Sequence, residues 1–255
     1  MTNPNPVRDT DTTALAAPLA GVVILAGGAS TRMGLPKAEL TLPNGERLID
    51  YHVRHALDLS CDNISVPIMI ADNGRGFRAD EALYKASRNA AVPIFHIEDY
   101  GAAEDKENKD HSQVKYNGGA LVAIASALQT LKNLATANLS ADKWLLVISC
   151  DSLIAAPKLW QQLQAYTAHR VDNTYGSDKS VICLTDAAHL YPLLGLYSLS
   201  IEPELQAYID SHHRQVMRFI EPKVQPVAVA PEWQHLTNFN TPADFKRACA
   251  ALNER

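Results

Sequence analysis

Apolar positions along this chain fall into short blocks separated by helical periodicity. Val22 to Leu25, Val66 to Ala71, Val92 to Ile97 and Trp144 to Asp151 are dominated by apolar, often β-branched residues. Such runs, without alternation, predict strands buried on both faces, the kind found in parallel sheets. Between them, Leu48, Ile49, His52, Val53, Ala56 and Leu57 recur at three-to-four spacing, which predicts an amphipathic helix from Leu48 to Leu59. Arg78 to Ser87 reads as a second helix, and Glu39 to Leu42 as a short strand before the turn Pro43-Asn44-Gly45. The first half is therefore β-α-β-α-β, and right-handed crossovers then favour a parallel sheet.

A helix from about Tyr116 to Leu131 precedes the Trp144 run. Beyond it the pattern predicts helices at Pro157 to Arg170, Glu202 to His212 and Ala243 to Leu252, with a short helical turn at Val216 to Ile220. Strands are predicted at Ser180 to Leu184, Leu193 to Tyr197 and Val224 to Val229. Thr241-Pro242 suits the last helix entry, Thr as N-cap and Pro at the first helical position. The pattern is that of an α/β domain with a mostly parallel sheet.

The chain has 255 residues, 47% of them hydrophobic, enough for one well-buried α/β domain. Residues 1–17 are polar and have no apolar signal core, so we expect a disordered tail ahead of one domain over 18–255. A net charge of −5 argues against a nucleic-acid footprint. No apolar run approaches the roughly 18 residues of a membrane span. Cys61, Cys150, Cys183 and Cys249 are scattered, without zinc or disulfide spacing, which fits a cytoplasmic protein. His212-His213 reads as a solvated helix end. Residues 98–115 hold ten charged or His side chains in eighteen positions and predict a surface loop, either a lid or, as we favour, a tolerated insertion.

Chemistry concentrates after the first strand. Leu25-Ala26-Gly27-Gly28 empties into Ala29-Ser30-Thr31-Arg32-Met33-Gly34-Leu35-Pro36-Lys37. Adjacent glycines let another group approach bare backbone, successive N–H groups form an anion nest, and Arg32 and Lys37 can offset phosphate charge. This is not a P-loop: Lys37 lies three residues past Gly34 and Ala38 stands where the metal-binding hydroxyl would be. Nor does it match the G-x-G-x-x-G dinucleotide pattern. The competing reading is an ordinary strand-to-helix turn. Asp151, ending the fourth run, is placed either to hold a divalent cation such as Mg²⁺ or to cap the helix entered near Pro157. Asp99 follows the third run directly and can reach a ligand at that edge. Gly118-Gly119 is a second potential close-approach site, or a plain helix start.

Leu25-Ala26-Gly27-Gly28-x-Ser30-x-Arg32-Met33-Gly34-x-x-Lys37-Ala38 resembles the signature of nucleotidyltransferases related to molybdenum cofactor guanylyltransferase, the MobA family. That resemblance covers most of residues 20–253 and implies a three-layer α/β/α sandwich of the nucleotide-diphospho-sugar transferase type, Rossmann-like. Cys150-Asp151 is similar to the family's Cys-Asp motif, implying Asp151 as the Mg²⁺ ligand. It implies Arg32, Lys37 and Asp151 as catalytic residues. Nucleotide contacts are implied for Leu25, Ala26, Gly27, Gly28, Lys37, Asp99, Gly118 and Asp151. Arg214, Arg218, Asn238 and Asn240, in Arg214-Gln215-Val216-Met217-Arg218-Phe219 and Asn238-Phe239-Asn240-Thr241-Pro242, resemble the last two motifs, which imply a pterin-side surface. Gly119 stands where the family usually has Pro, Ser152-Leu153 where Thr-Pro or Met-Pro is usual, and Ala71 where an Asn often contacts the nucleotide.

The expected partners are GTP and molybdopterin, with cofactor-delivery proteins or molybdoenzymes as further candidates. The expected reaction moves GMP from GTP to the molybdopterin phosphate and releases pyrophosphate. An ionised phosphate nucleophile needs no general base, which agrees with the lack of a Ser-His-Asp or Cys-His constellation. Two alternatives stand beside it: a cytidylyl or other nucleotidyl transferase acting on another phosphate acceptor, and a non-catalytic accessory that binds nucleotide or cofactor.

Overall fold

The computed structural model describes residues 19–28, 32–59, 66–99, 118–134, 143–170 and 179–253. The N-terminal tail, Ala29 to Thr31, Cys61 and most of the charged 98–115 segment lie outside them. Among the described residues seven strands form one sheet: β1 (Leu19–Leu25), β2 (Ile68–Ala71), β3 (Ile94–His96), β4 (Trp144–Ser149), β5 (Val181–Thr185), β6 (Leu190–Ser198) and β7 (Val224–Ala228). Their spatial order is β3-β2-β1-β4-β6-β5-β7. All neighbours pair in parallel except at β6, which is antiparallel to both β4 and β5. The reversal has a local cause. Only four residues separate β5 from β6, and a parallel return needs a crossover of a dozen or more, so the chain can only fold back as a hairpin.

Seven α-helices cover the sheet among the described residues: α1 (Leu48–Asp58), α2 (Glu81–Asn89), α3 (Ala120–Leu134), α4 (Ala156–Leu163), α5 (Glu202–Asp210), α6 (Val216–Ile220) and α7 (Pro242–Asn253). Alternate strand residues feed two cores. Val22, Ile24, Ile68, Ile70, Leu146 and Ile148 pack with α1, α2, α4 and α7 on one face. Val23, Leu25, Met69, Leu145 and Val147 pack with α3, α5 and α6 on the other. The three-layer expectation therefore holds, with β1 buried along its whole length beside the central strand β4.

Some local readings change. Glu39 to Leu42 is not a strand: Lys37–Glu39 forms a 3₁₀ turn, and pairing is limited to one antiparallel bridge between Thr41 and Arg47. The polar neighbours of Leu40 and Leu42 leave too little apolar surface for a sheet position. The predicted Pro157 to Arg170 helix is α-helical only from Ala156 to Leu163 and continues as 3₁₀. His212 and His213 are exposed beyond α5. None of the described helices is long and apolar enough to cross a membrane.

Candidate active site

The parallel strands β1 and β4 end side by side, and their carboxyl ends open into a cavity of about 230 Å³. Leu25, Ala26 and Gly28 form one wall. Ser149, Cys150 and Asp151 form the facing one, and Arg32, Met33 and Lys37 close it from the loop after β1. The two walls are stitched together, since Cys150 N–H donates to the Leu25 carbonyl at 3.1 Å. On the other side Ala26 N–H donates to the Ala71 carbonyl at 2.8 Å. The cradle is thus an extension of the sheet ladder, which fixes its backbone before any ligand arrives.

Close approach requires one glycine of the predicted site, Gly27, and brings a flexible side chain against a second, Gly118. A Cβ on Gly27 would lie 2.7 Å from the Asn73 Cβ and 3.0 Å from the Asp72 carbonyl carbon. The turn after β2 therefore presses directly onto the cradle. A Cβ on Gly118 would lie 1.6 Å from the Asp99 Oδ2. Asp99, expected from sequence to face the ligand edge, thus sits over the entry to α3. Burial, helped by the neighbouring Asp72 carboxylate, raises its pKa.

Lys37 is the centre of the site. Its ammonium lies 3.3 Å from the Asp151 Oδ2 and donates to the Asn240 Oδ1 at 3.0 Å. The same ammonium lies 5.7 Å from the centre of the Phe239 ring, a cation–π distance. Asn240 therefore belongs to the cradle itself and lines its cavity. The expectation that it forms a surface with Arg214 and Arg218 separates here. Arg214 donates to the carbonyls of Ile209 and His213, and Arg218 is exposed on α6, whose buried residues pack on the opposite face of the sheet from α7. Asn238 is exposed and does not line the cavity.

Asp151 is not a helix cap, because α4 is entered through Ala155. It is held instead by its backbone. Phe239 N–H donates to the Asp151 carbonyl at 2.9 Å, and Leu153 N–H and the Ser152 hydroxyl both donate to the Leu236 carbonyl at 2.9 Å. From below, the consecutive α1 residues Tyr51 and His52 complete the clamp: Tyr51 OH donates to the Leu153 carbonyl at 2.8 Å, and His52 Nε2–H to the Ser152 carbonyl at 3.0 Å. Every carbonyl from Asp151 to Leu153 has a donor, so the carboxylate has little freedom to shift. Burial holds His52 neutral, its pKa lowered to about 4. Sequence periodicity marks Tyr51 and His52 only as the buried side of a helix; their polar reach is visible only in three dimensions.

Asn240 is set by the start of α7. Asn240 N–H and Thr241 N–H donate to Asp244 Oδ2 at 3.2 and 3.0 Å, while Asp244 N–H donates to Thr241 Oγ1 at 3.2 Å, a capping box with Pro242 at its expected position. Cys150 beside Asp151 is not poised as a nucleophile, because burial and the Asp151 charge push its thiol far above the usual range.

The described residues contain no group of three or more His, Cys, Asp or Glu side chains arranged for a metal. Asp151 alone still fits Mg²⁺, which keeps several waters and takes one or two carboxylates together with substrate phosphates. It cannot form a protein-only cage. The arrangement as a whole brings side-chain-free glycine backbone, two cations and one carboxylate around a phosphate-sized space.

Comparison with known proteins gives the family and the fold. The family model of the MobA-like NTP transferase domain matches residues 22–227. A Rhodopirellula baltica protein named probable molybdenum cofactor guanylyltransferase is 27% identical over 231 residues, covering 89% of this chain and 90% of that protein. The crystal structure of molybdopterin-guanine dinucleotide biosynthesis protein A from Archaeoglobus fulgidus superposes with a TM-score of 0.57 at 19% identity, covering 92% of this chain and all of that one. Bifunctional IspDF from Campylobacter jejuni shares the fold at a TM-score of 0.51 and 14% identity, over 90% of this chain and 54% of its own.

Proposed function

This chain belongs to the MobA-like NTP transferase family, and we propose that it transfers a guanylyl group from GTP to the terminal phosphate of molybdopterin, releasing pyrophosphate. The observation that carries the reading is the Lys37 ammonium, held between the Asp151 carboxylate and the Asn240 amide inside the cradle. The R. baltica relative supplies the base and the acceptor.

An oxygen of the acceptor phosphate attacks the α-phosphorus of GTP. A new P–O bond forms there, and the bond to the bridging oxygen breaks as pyrophosphate leaves. Both reactants are anions, so the work of the site is to offset charge and hold the atoms in line. The Leu25 to Gly28 backbone cradles the phosphates. Lys37 moves its ammonium from Asp151 onto the phosphate oxygens as the nucleotide enters, and Asn240 keeps the side chain aimed during that exchange. Arg32, exposed at the mouth, meets the outer phosphates. Asp151 is the carboxylate that would hold Mg²⁺, and the ion would supply Lewis-acid neutralisation of the phosphate oxygens. Asp99 and Gly118, at the ends of β3 and the start of α3, face the nucleoside side. No side chain has to remove a proton.

The test is pyrophosphate release with Mg²⁺ and GTP, CTP, ATP or UTP, each with and without molybdopterin. Release with GTP that needs the pterin and disappears in Lys37→Ala supports the reading. Release with CTP alone replaces the base and keeps the chemistry. GTP binding with no release under any condition makes the chain an accessory binder.

A further inference from the structure

A second cavity, larger than the cradle, lies at the same edge of the sheet. Its volume is about 390 Å³, inside the range of roughly 300–1,000 Å³ typical of small-molecule sites. Thr185 at the end of β5, Asp186 in the hairpin turn and Tyr191 at the start of β6 form one side. The segment after β7 forms the other, from Ala228 through Pro231 to Gln234 and Thr237. Nothing in the phosphate chemistry above uses it.

Its described lining does not favour a second phosphate. Among the described residues that line it there is no Lys, Arg or His, and the one charge is the Asp186 carboxylate, with the exposed His189 ring 3.6 Å from its Oδ1. Its walls are otherwise alanine, valine and proline, with hydroxyls and one amide. That carboxylate is held rigidly. Asp186 Oδ1 accepts Ala188 N–H at 2.8 Å and His189 N–H at 2.7 Å, and Oδ2 accepts the Tyr191 hydroxyl. These donors, the Tyr191 hydroxyl first, hold the carboxyl down at about 2, so it stays an acceptor at any physiological pH. Tyr191 in turn neighbours the Thr237 hydroxyl.

Thr237 ties the two cavities together. It lines this one, and Asn240, three residues on, lines the cradle. Three residues reach at most about 10 Å. The strands agree: only β6 separates β4, which carries Asp151, from β5, which carries Asp186, so the two carboxylates end strands about 10 Å apart. One elongated molecule with an uncharged end and an anionic end would span that distance.

We propose that this cavity holds the heterocyclic end of the acceptor, a flat uncharged ring system whose N–H donors face Asp186, while its phosphate reaches into the cradle. A pterin has that edge. The inference rests on the guanylyl-transfer reading and moves the acceptor-recognising surface from Arg214 and Arg218 to the β5–β6 hairpin.

Two variants test it by different means. Asp186→Asn keeps the oxygen that accepts the turn N–H groups but loses the charge, and Ala187→Trp fills the cavity from an exposed position. Both should raise KM for molybdopterin about tenfold or more, with kcat at saturating acceptor and the Kd for GTP held within about twofold. An unchanged acceptor KM in both, with GTP binding intact, overturns the proposal and leaves the transfer reading standing. If the wild-type protein releases no pyrophosphate, the transfer reading fails, and titration with 6-hydroxymethylpterin, followed by its fluorescence, decides about the cavity. Quenching by wild type that Ala187→Trp abolishes supports a heterocycle site there; absence of quenching overturns it.

Discussion

Lys37 and Asp151 are 114 residues apart in sequence and 3.3 Å apart in space, one on the loop leaving β1 and the other on the loop leaving β4. They meet because β1 and β4 are neighbouring parallel strands that end at the same edge. Both side chains are partly exposed, at 15% and 26%, so the pair contributes no more than about 1 kcal/mol to stability. Its value is functional. Lys37→Met should lower kcat/KM about 10²–10³-fold, as loss of one preorganised charge donor does, while the unfolding midpoint moves by no more than a few degrees. Asp151→Asn should also lose turnover, and raising Mg²⁺ should recover part of it. Full activity in Asp151→Asn at ordinary Mg²⁺ would remove Asp151 from the metal role.

Gly118→Ala should weaken GTP binding while costing at most about 1 kcal/mol of stability, because the new methyl group would turn the flexible Asp99 carboxylate out of its place. The check is a double-mutant cycle in denaturant. Asp99→Ala removes the obstructing atoms, so Gly118→Ala on that background should cost clearly less. Additive costs would mean that the clash is relieved some other way.

His52 makes stability depend on pH in a defined window. Its folded pKa, about 4, lies below the ordinary 6.5, so the unfolded chain binds more protons between those values. Stability from this group is complete above pH 6.5 and falls as pH drops towards 4. The full loss is about 3 kcal/mol. Denaturant midpoints from pH 7.5 to 4 in wild type and His52→Leu should converge as pH falls, with the variant less stable at pH 7.5 because the Ser152 carbonyl loses its donor. Parallel curves would show that His52 does not titrate in this window.

Thr241→Val and Asp244→Ala each remove one arm of the α7 capping box and should cost about 1 kcal/mol. The costs should be sub-additive in the double variant, since each arm loses meaning without the other. Because Asn240 N–H is also bound by Asp244, Asp244→Ala should lower turnover more than its stability loss explains. Thermal melts beside single-turnover rates separate the two effects.

Much of the site is legible in the sequence. The Gly27-Gly28 loop, Arg32, Lys37 and Asp151 each follow an apolar run, and ends of parallel strands gather on one edge, so their convergence follows from β-α-β reasoning. Asp99 and Gly118 fall at that edge for the same reason, although no pattern of residues shows that they touch. Asn240 can be named from its motif but not positioned. Its contact to Lys37 spans 203 residues and depends on how the segment after β7 crosses back over the sheet, which no periodicity encodes. The antiparallel direction of β6 follows from the short spacing after β5, a length too small for a crossover. Asp186 sits in that same hairpin and carries no motif, and Tyr191 begins a stretch that resembles the family without any sign of a polar role, so only the cavity draws attention to the pair.

That hairpin has an evolutionary consequence. The strands on the nucleotide side are joined by helical crossovers, so a change in length there must be absorbed by repacking a whole layer. The tip between Thr185 and Leu190 is a short surface bend held by its own hydrogen bonds, and residues can be added or lost there without rethreading the sheet. Descendants of such a chain could exchange one acceptor for another by editing a handful of codons, while the triphosphate machinery is inherited intact.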